Sequence, residues 1–365
     1  MNSVSDNPGQ GIVCHDYFAI RGGGERLALT LADGFGWPLY TSFWGENTYP
    51  EGDWPGVDIN VFSRSFGQPF FGMISAMMGW QSFKLPDPLQ TVIYSGSYAP
   101  LAVKGINAQR HVMYCHSPPR FLYDQREYFL RQLPAWQRPF LKCFMAYFQP
   151  RYEAAIKNMD VIIANSENVR QRIKKYLNRD AVVVHPPCDV EKFKWVGQGD
   201  YYLSTARLDP LKRVDLIVKA FCKMPDKRLI VTSGGPELPR LKRLAECCPN
   251  IIFTDWIEEA ELLELIGNAI ATIYVPRDED FGMSPVESMA AGKPVIGVAE
   301  GGLCETVVHG ETGLLLDPPL TEEGIVEAVR KLTPAVALGM REACVEKASG
   351  LEVDVFWGKV KAVFV

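Results

Sequence analysis

The sequence predicts an α/β protein of two domains, each with a parallel sheet flanked by helices. One observation is the apolar run at residues 11–20, which leads into a glycine-rich turn and a helical segment. A second is the same layout in the other half, where the apolar residues 270–275 enter the stretch 276–317. A third is Pro186 and Pro187, followed by hydrophilic residues 191–200, which mark a link between the domains.

The composition is that of an ordinary globular protein and disfavours several functions. The 365 residues are 47% hydrophobic and 22% charged, and the net charge of −5 argues against general nucleic-acid binding. The nine cysteines show no metal-binding or disulfide spacing, and Cys247 and Cys248 are adjacent. We therefore expect reduced thiols in a cytoplasmic protein. The first ten residues are polar, so no signal sequence is expected, and no apolar run is long enough to span a bilayer.

The first glycine-rich turn has the layout of a loop that approaches phosphate. A strand at 11–20 is followed by Gly22, Gly23 and Gly24 and by a helix over 27–32. A tight turn with positive φ would need only one or two glycines, so three in a row exceed that need. The pattern is not a full G-x-G-x-x-G, which weakens a nicotinamide interpretation. Further strands are predicted at 39–43, 59–62, 91–95, 111–115 and 161–165.

Two other features of the first half suggest function. His116 follows a predicted strand, at the carboxyl end where α/β sheets bind ligands, although a lone histidine is more often structural. Residues 121–152 are rich in aromatic and basic side chains, with Trp136, Phe140, Phe144, Tyr147 and Phe148 at roughly helical spacing. They form either a core helix covered by the aliphatic parts of lysine and arginine side chains, or a surface that contacts anionic lipid. Residues 66–80 add a second apolar patch.

In the second half, two turns carry the candidate chemistry. Arg207 and Lys212 flank the turn into a helix over 214–224, either as solvated cations or as a clamp on a diphosphate. After the strand 270–275, Gly282 allows the backbone to approach a ligand, and a helix is predicted over 285–291 with Ser284 as its N-cap. Glu279 and Glu287 frame this turn, whose helix N-terminus suits phosphate.

Residues 279–296, EDFGMSPVESMAAGKPVI, followed by GGLCETVVHGETGLL, resemble the donor-site signature of retaining family 4 glycosyltransferases of the GT-B fold. The hallmark E-x7-E is matched by Glu279 and Glu287. The resemblance implies two Rossmann-like domains that face each other across a cleft. Residues 1–187 would be the acceptor-side domain, 188–350 the nucleotide-sugar-binding domain, and 351–365 a helix that crosses back to the first domain.

The resemblance also implies roles for individual residues. Glu279 would contact the donor sugar and Glu287 the ribose hydroxyls, while Arg207 and Lys212 would neutralise the leaving diphosphate. His116 would bond the donor sugar or leaving phosphate, or orient the acceptor. The implied catalytic residues are His116, Glu279, Arg207 and Lys212, and the implied donor-binding residues are Gly23, Gly24, Gly282, Met283, Ser284 and Glu287. The chain departs from the family pattern at Ala206, Asp280 and the Ser284–Pro285 pair.

We expect no metal and no cofactor. Residues 278–280 resemble the D-x-D metal motif of another glycosyltransferase fold, but Glu279 is already placed by the E-x7-E motif. The resemblance implies retention of configuration by front-face attack, with a phosphate oxygen as the base. No carboxylate nucleophile is evident for a covalent route.

The segments 116–124 (HSPPRFLYD) and 209–215 (DPLKRVD) are similar to bacterial O-antigen and polysaccharide mannosyltransferases. This implies transfer of mannose from GDP-mannose to a lipid-linked oligosaccharide in lipopolysaccharide biosynthesis, by a cytoplasmic protein peripheral to the inner membrane. A UDP-sugar donor is the first alternative, and a non-catalytic nucleotide-sugar-binding protein is the second. An epimerase or phosphorylase of the same fold fits less well, and a nicotinamide dehydrogenase least of all.

Overall fold

The computed structural model describes residues 10–63 and 69–364. The chain divides into two compact units, of which the first comprises Met1–Val184 with Val360–Val365 and the second comprises His185–Lys359. The sequence placed the boundary three residues later, after residue 187. Part of the predicted apolar patch 66–80 lies outside the described residues, and the rest belongs to a helix, Pro69–Ser82.

The first unit is built on a seven-stranded sheet in the order β3-β2-β1-β4-β5-β6-β7, and every strand pair is parallel. The strands are β1 (Gly11–His15), β2 (Leu39–Thr41), β3 (Ile59–Val61), β4 (Leu85–Ser95), β5 (Ile106–Cys115), β6 (Val161–Ala164) and β7 (Val182–Val183). The helices are α1 (Gly23–Phe35), α2 (Pro69–Ser82), α3 (Arg126–Gln132), α4 (Arg138–Lys157) and α5 (Glu167–Leu177), with 3-10 turns at Glu51–Asp53 and Ala99–Gly105. The strands predicted at 39–43, 59–62, 91–95, 111–115 and 161–165 are therefore confirmed in position.

Two predictions at the start of the first unit are wrong. The first strand ends at His15 rather than at residue 20, because His15 is the last residue that pairs with both β2 and β4. Gly23 and Gly24 do not form a separate turn but are the first two residues of α1, and neither has a positive φ. The helix therefore begins at the glycines, four residues earlier than predicted.

The second unit has a six-stranded parallel sheet in the order β10-β9-β8-β11-β12-β13. Its strands are β8 (Tyr201–Ser204), β9 (Arg228–Thr232), β10 (Ile251–Asp255), β11 (Thr272–Ile273), β12 (Val295–Val298) and β13 (Gly313–Leu316). Its helices are α6 (Val214–Cys222), α7 (Leu238–Leu244), α8 (Glu259–Asn268), α9 (Met283–Ala290), α10 (Leu303–Thr306), α11 (Glu322–Lys331), α12 (Pro334–Gly339), α13 (Arg341–Ser349) and α14 (Val353–Phe364), with 3-10 turns at Val190–Lys192 and Pro210–Lys212. The unit boundary falls within α14.

Helix α9 does not begin as the sequence predicts. It starts at Met283, and its N-cap is Gly282 with φ +92°, so Ser284 is the second helical residue and not the cap. The left-handed conformation of Gly282, which an L side chain rarely adopts, turns the chain directly into the helix. At the other predicted serine cap, Ser166 accepts a hydrogen bond from the amide of Val169 at 3.0 Å, which confirms that prediction.

The prediction that all cysteines are reduced is wrong. Cys222 and Cys248 form a disulfide, and the other seven cysteines are free. Cys222 ends α6 and Cys248 precedes β10, and the packing of α6 on α7 and β10 brings their Cα atoms within 5.4 Å. The sequence does not predict this pairing, because Cys222 lies 26 residues before Cys248 and no spacing pattern connects the two.

Reduction of this disulfide should lower the stability of the protein. The closed loop of 26 residues predicts a loss of about 3.5 kcal/mol in the free energy of unfolding, measured in urea with and without a reductant. Thiol titration in denaturant without reductant should detect seven thiols, the number of free cysteines. Nine thiols would contradict the pairing.

Candidate active site

The candidate residues of the second unit meet where the strand order of its sheet reverses. Strands β8, β9 and β10 run to one side, and β11 then pairs on the other side of β8. Loops leaving the carboxyl ends of β8 and β11 diverge at this point, which is where open α/β sheets bind ligands. Lys212 follows β8 and Glu279 follows β11, so the topology places both at this edge.

Lys212, Tyr274 and Glu279 form a closed set of hydrogen bonds. Lys212 Nζ donates to Glu279 Oε2 at 2.5 Å and to the Tyr274 hydroxyl at 2.8 Å, and that hydroxyl donates to Glu279 Oε2 at 2.8 Å. The Lys212 and Glu279 side chains are 25% and 19% exposed, so they remain accessible to a ligand. Burial and the Glu279 charge raise the pKa of Tyr274 well above its usual value, so its hydroxyl stays a donor.

Arg213 fixes the turn that carries Lys212. It has φ +52°, and its guanidinium donates to the carbonyls of Val275 and Pro276 and to both carboxylate oxygens of Glu300. Such a bidentate arginine–carboxylate pair defines orientation as well as attraction. The guanidinium therefore joins the loops after β8, β11 and β12 into one rigid support for Lys212.

Two glycines after β12 hold the loop that carries Glu279. The amide of Gly302 donates to the carbonyl of Glu279 at 2.8 Å. Gly301 has φ +59°, and a Cβ there would lie 2.3 Å from the same carbonyl, while a Cβ at Gly302 would lie 2.5 Å from the carbonyl of Asp280. These close backbone approaches require glycine at both positions.

The remaining predicted donor-binding residues of the second unit lie at the start of α9. Met283 and Ser284 are its first two residues and Glu287 its fifth, and all three are partly buried. The Glu287 charge also contributes to the raised pKa of Tyr274, so this carboxylate interacts electrostatically with the Tyr274 hydroxyl. The sequence placed Glu287 in the first helical turn, whereas it begins the second.

Arg207 differs from Lys212 in its surroundings. Its side chain is exposed, and within the described part of the second unit it has no hydrogen bond or ion pair. Of the two cations predicted to bind a diphosphate, Arg207 therefore has a free guanidinium, whereas the ammonium of Lys212 is already paired with Glu279.

An exposed tryptophan lies at the same edge of the second sheet. Trp256 follows β10 and is 72% exposed, and its indole lies so close to Gly234 that a Cβ at Gly234 would be 2.3 Å from Nε1. Gly234 follows β9, so the indole covers the loop at the end of the neighbouring strand. The resemblance to family 4 glycosyltransferases also implied that residues 255–257 form the loop near the nucleotide base, although Trp256 was not among the predicted donor-binding residues.

In the first unit, His116 follows β5, is half-buried, and contacts the buried residue Ser95. The strand order reverses between β1 and β4, whose last residues are His15 and Ser95. Ser95 Oγ lies 2.9 Å from His15 Nδ1 and 2.8 Å from His116 Nε2. Burial lowers the pKa of His116 to about 4 and that of His15 to about 3, so both imidazoles are neutral near pH 7.

Helix α1 begins beside His116. A Cβ at Gly24 would lie 3.5 Å from His116 Nε2, whereas nothing lies within 4 Å of the corresponding position at Gly23. Two carboxylates lie close by in the sequence, since Asp16 directly follows β1 and Glu25 is the third residue of α1. Burial raises the pKa of Asp16 to about 6 and that of Glu25 to about 7. Asp16 accepts hydrogen bonds from three successive backbone amides at residues 97–99, which hold its carboxylate at the start of the 3-10 turn Ala99–Gly105.

Among the described residues, no group of three or more histidine, cysteine or acidic side chains could hold a metal ion. The absence of a metal requirement in the reaction stays a prediction. In the same residues, no helix has the length and hydrophobicity needed to cross a membrane.

Residues 188–349 match the family described as Glycosyl transferases group 1. The chain is 27% identical over 221 residues to a D-inositol 3-phosphate glycosyltransferase of Mycobacteroides abscessus, covering 54% of this chain and 50% of that protein. It is 46% identical over 72 residues to the α-1,3/1,6-mannosyltransferase ALG2 of Dictyostelium discoideum, covering 20% and 17% of the two chains. The chain thus spans half or less of the length of these curated relatives.

Among solved structures, HepE of Anabaena in complex with UDP and glucose superposes with a TM-score of 0.72 at 15% identity, covering 96% of this chain and 98% of that one. At this identity the likeness concerns the fold, which is that of two parallel-sheet Rossmann-like units. Residues 188–349 therefore match the group 1 glycosyltransferase family, in a chain whose two units have the GT-B fold.

Proposed function

We propose that this protein is a retaining glycosyltransferase that transfers a hexose from a nucleotide sugar, with mannose from GDP-mannose as the first choice. The observation that carries this proposal is the Lys212–Tyr274–Glu279 set at the point where the strand order of the second sheet reverses. An accessible ammonium next to a carboxylate can donate a hydrogen bond to a diphosphate oxygen, while the carboxylate accepts one from a sugar hydroxyl.

In this proposal, Lys212 and Arg207 stabilise the negative charge that develops on the diphosphate as the glycosidic bond breaks. The free guanidinium of Arg207 can bind a phosphate without first giving up a partner. Glu279 accepts a hydroxyl hydrogen bond from the donor sugar, and Glu287 accepts those of the ribose. Trp256 offers an aromatic face for the base. The acceptor hydroxyl attacks from the side of the leaving phosphate, whose oxygen takes the proton.

Two findings bear on the donor. The 46% identity with an α-1,3/1,6-mannosyltransferase over 72 residues supports mannose. A structural neighbour that binds UDP and glucose keeps a UDP-sugar as the alternative. The two donors share the diphosphate and sugar contacts and differ at the base, so the proposed site is compatible with either.

The test is a panel of nucleotide sugars, with thermal stabilisation and slow hydrolysis measured for each, with and without EDTA. We expect the largest stabilisation and hydrolysis with GDP-mannose, unchanged by EDTA. If a UDP-sugar gives the largest stabilisation and hydrolysis, the proposed glycosyl transfer is retained and the donor is that UDP-sugar instead of GDP-mannose. Absence of binding to every nucleotide sugar would contradict the proposal and favour a scaffold.

We further propose that the acceptor is a lipid-linked oligosaccharide and that the first unit binds the cytoplasmic face of the inner membrane. Residues 128–152 contain four arginines or lysines and no aspartate or glutamate, in a chain whose net charge is −5. Phe144 and Phe148 of α4 are buried, as the core interpretation predicted, but Trp136, Phe140 and Tyr147 are 69%, 60% and 43% exposed. Exposed aromatic side chains with flanking cations suit an anionic lipid surface.

Replacing Trp136 and Phe140 together by serine should weaken binding to vesicles of anionic phospholipid at least about tenfold, because the two aromatic side chains, once inserted into the lipid surface, together contribute at least about 1.4 kcal/mol. Vesicle sedimentation measures the effect. The matched control replaces Val336 and Leu338 by serine, since both are exposed apolar residues of the second unit, on α12. Equal loss in both double variants, or none in the first, would contradict this surface.

A further inference from the structure

We propose that Ser95 couples the tautomers of His15 and His116, so that His15 and Ser95 are positioning residues for the imidazole of His116. The proposal goes beyond the roles assigned above, because neither His15 nor Ser95 was a candidate. Its consequence for turnover rests on the proposed function, whereas the coupling itself does not.

The geometry follows from the sheet. His15 and Ser95 are register partners at the ends of β1 and β4, and β5 on the other side of β4 leads directly to His116. Ser95 Oγ therefore lies between the two rings, 2.9 Å from His15 Nδ1 and 2.8 Å from His116 Nε2. Ser95 is fully buried, and these are its side-chain hydrogen bonds within the described first unit.

A hydroxyl has one proton, so Ser95 donates to one ring and accepts from the other. A neutral imidazole carries one N–H, and burial keeps both rings neutral near pH 7. In one arrangement His15 Nδ1–H donates to Ser95, Ser95 donates to His116 Nε2, and the His116 proton is on Nδ1. In the other, His116 Nε2–H donates to Ser95, Ser95 donates to His15 Nδ1, and the His15 proton is on Nε2.

Both arrangements place the proton on the same-named nitrogen of the two rings. Opposite tautomers would direct two N–H groups at one oxygen and leave the hydroxyl proton without an acceptor, or would leave one ring nitrogen without a donor. Either defect is costly, because the Ser95 hydroxyl that lies between the rings is buried. His116 Nδ1 has no hydrogen bond within the described first unit, so the state of His15 decides whether that atom donates to or accepts from a ligand.

Nitrogen-15 labelling of histidine tests the coupling. The chain has five histidines, so long-range proton–nitrogen spectra assigned with single His→Gln variants resolve the protonated nitrogen of each ring. We expect the same tautomer for His15 and His116 in the wild-type protein, and a changed tautomer for at least one ring in Ser95→Ala. Opposite tautomers in the wild type, or unchanged ones in Ser95→Ala, would overturn the coupling.

Turnover tests the positioning role. Ser95→Ala should lower kcat at least about tenfold with little change in the donor KM. The reason is that the imidazole of His116, which Ser95 positions, is expected to contact the reacting groups. Ser95→Thr keeps the hydroxyl and should restore both kcat and the tautomers, and Ser95→Cys replaces it if threonine prevents folding. Wild-type kcat in Ser95→Ala would overturn the role. If the wild type transfers no sugar, the proposed function fails and the spectra still decide the coupling.

Discussion

Lys212→Met is expected to lower the rate of glycosyl transfer by about a thousandfold. Methionine fills similar space but removes the ammonium that lies 2.5 Å from Glu279 Oε2 and 2.8 Å from the Tyr274 hydroxyl. Charge that develops on the diphosphate then loses its partly buried partner, where an ion pair is stronger than at an open surface. Initial rates of nucleoside diphosphate release at saturating donor measure the effect.

The matched control for this change is Lys219→Met. Lys219 lies on α6, seven residues further along, and its Nζ is 3.5 Å from Glu322 at a surface position that is 38% exposed. Removing such a surface pair should leave turnover unchanged. An equal fall in both variants would indicate damage to the second unit rather than loss of a catalytic charge.

Glu279→Gln is expected to lower turnover about a hundredfold while binding of the free nucleoside diphosphate is retained or becomes tighter. The carboxylate competes with a diphosphate for the Lys212 ammonium, so removing its charge frees that cation. At the same time the sugar loses a charged hydrogen-bond acceptor. Calorimetry with GDP and UDP, beside initial rates, separates the two effects.

Glu346→Gln provides the control, because Glu346 is exposed on α13. Weaker nucleotide binding in Glu279→Gln would contradict the competition for Lys212. Unchanged turnover would remove Glu279 from the proposed site.

The sequence predicts those residues of the candidate site whose signal is local. The E-x7-E spacing identified Glu279 and Glu287 because both lie on one continuous loop and helix. Alternating apolar runs and polar turns located the strands. The cap of α9 was misplaced because the φ of +92° at Gly282, rather than a serine side chain, starts the helix.

The missed residues depend on strand order, which no local pattern contains. Ser95 contacts residues 80 positions before it and 21 after it, because β4 lies between β1 and β5 in the sheet. Tyr274 follows a buried strand and looks like core in the sequence, yet its hydroxyl joins Lys212 to Glu279. Cys222 and Cys248 were missed for the same reason.

The most direct test of glycosyl transfer compares nucleoside diphosphate release from GDP-mannose and UDP-sugars by the wild-type protein, Lys212→Met and Lys219→Met. We expect release by the wild type and Lys219→Met, and about a thousandfold less by Lys212→Met. Equal release by Lys212→Met and the wild type, or no release from any donor by the wild type, would contradict it.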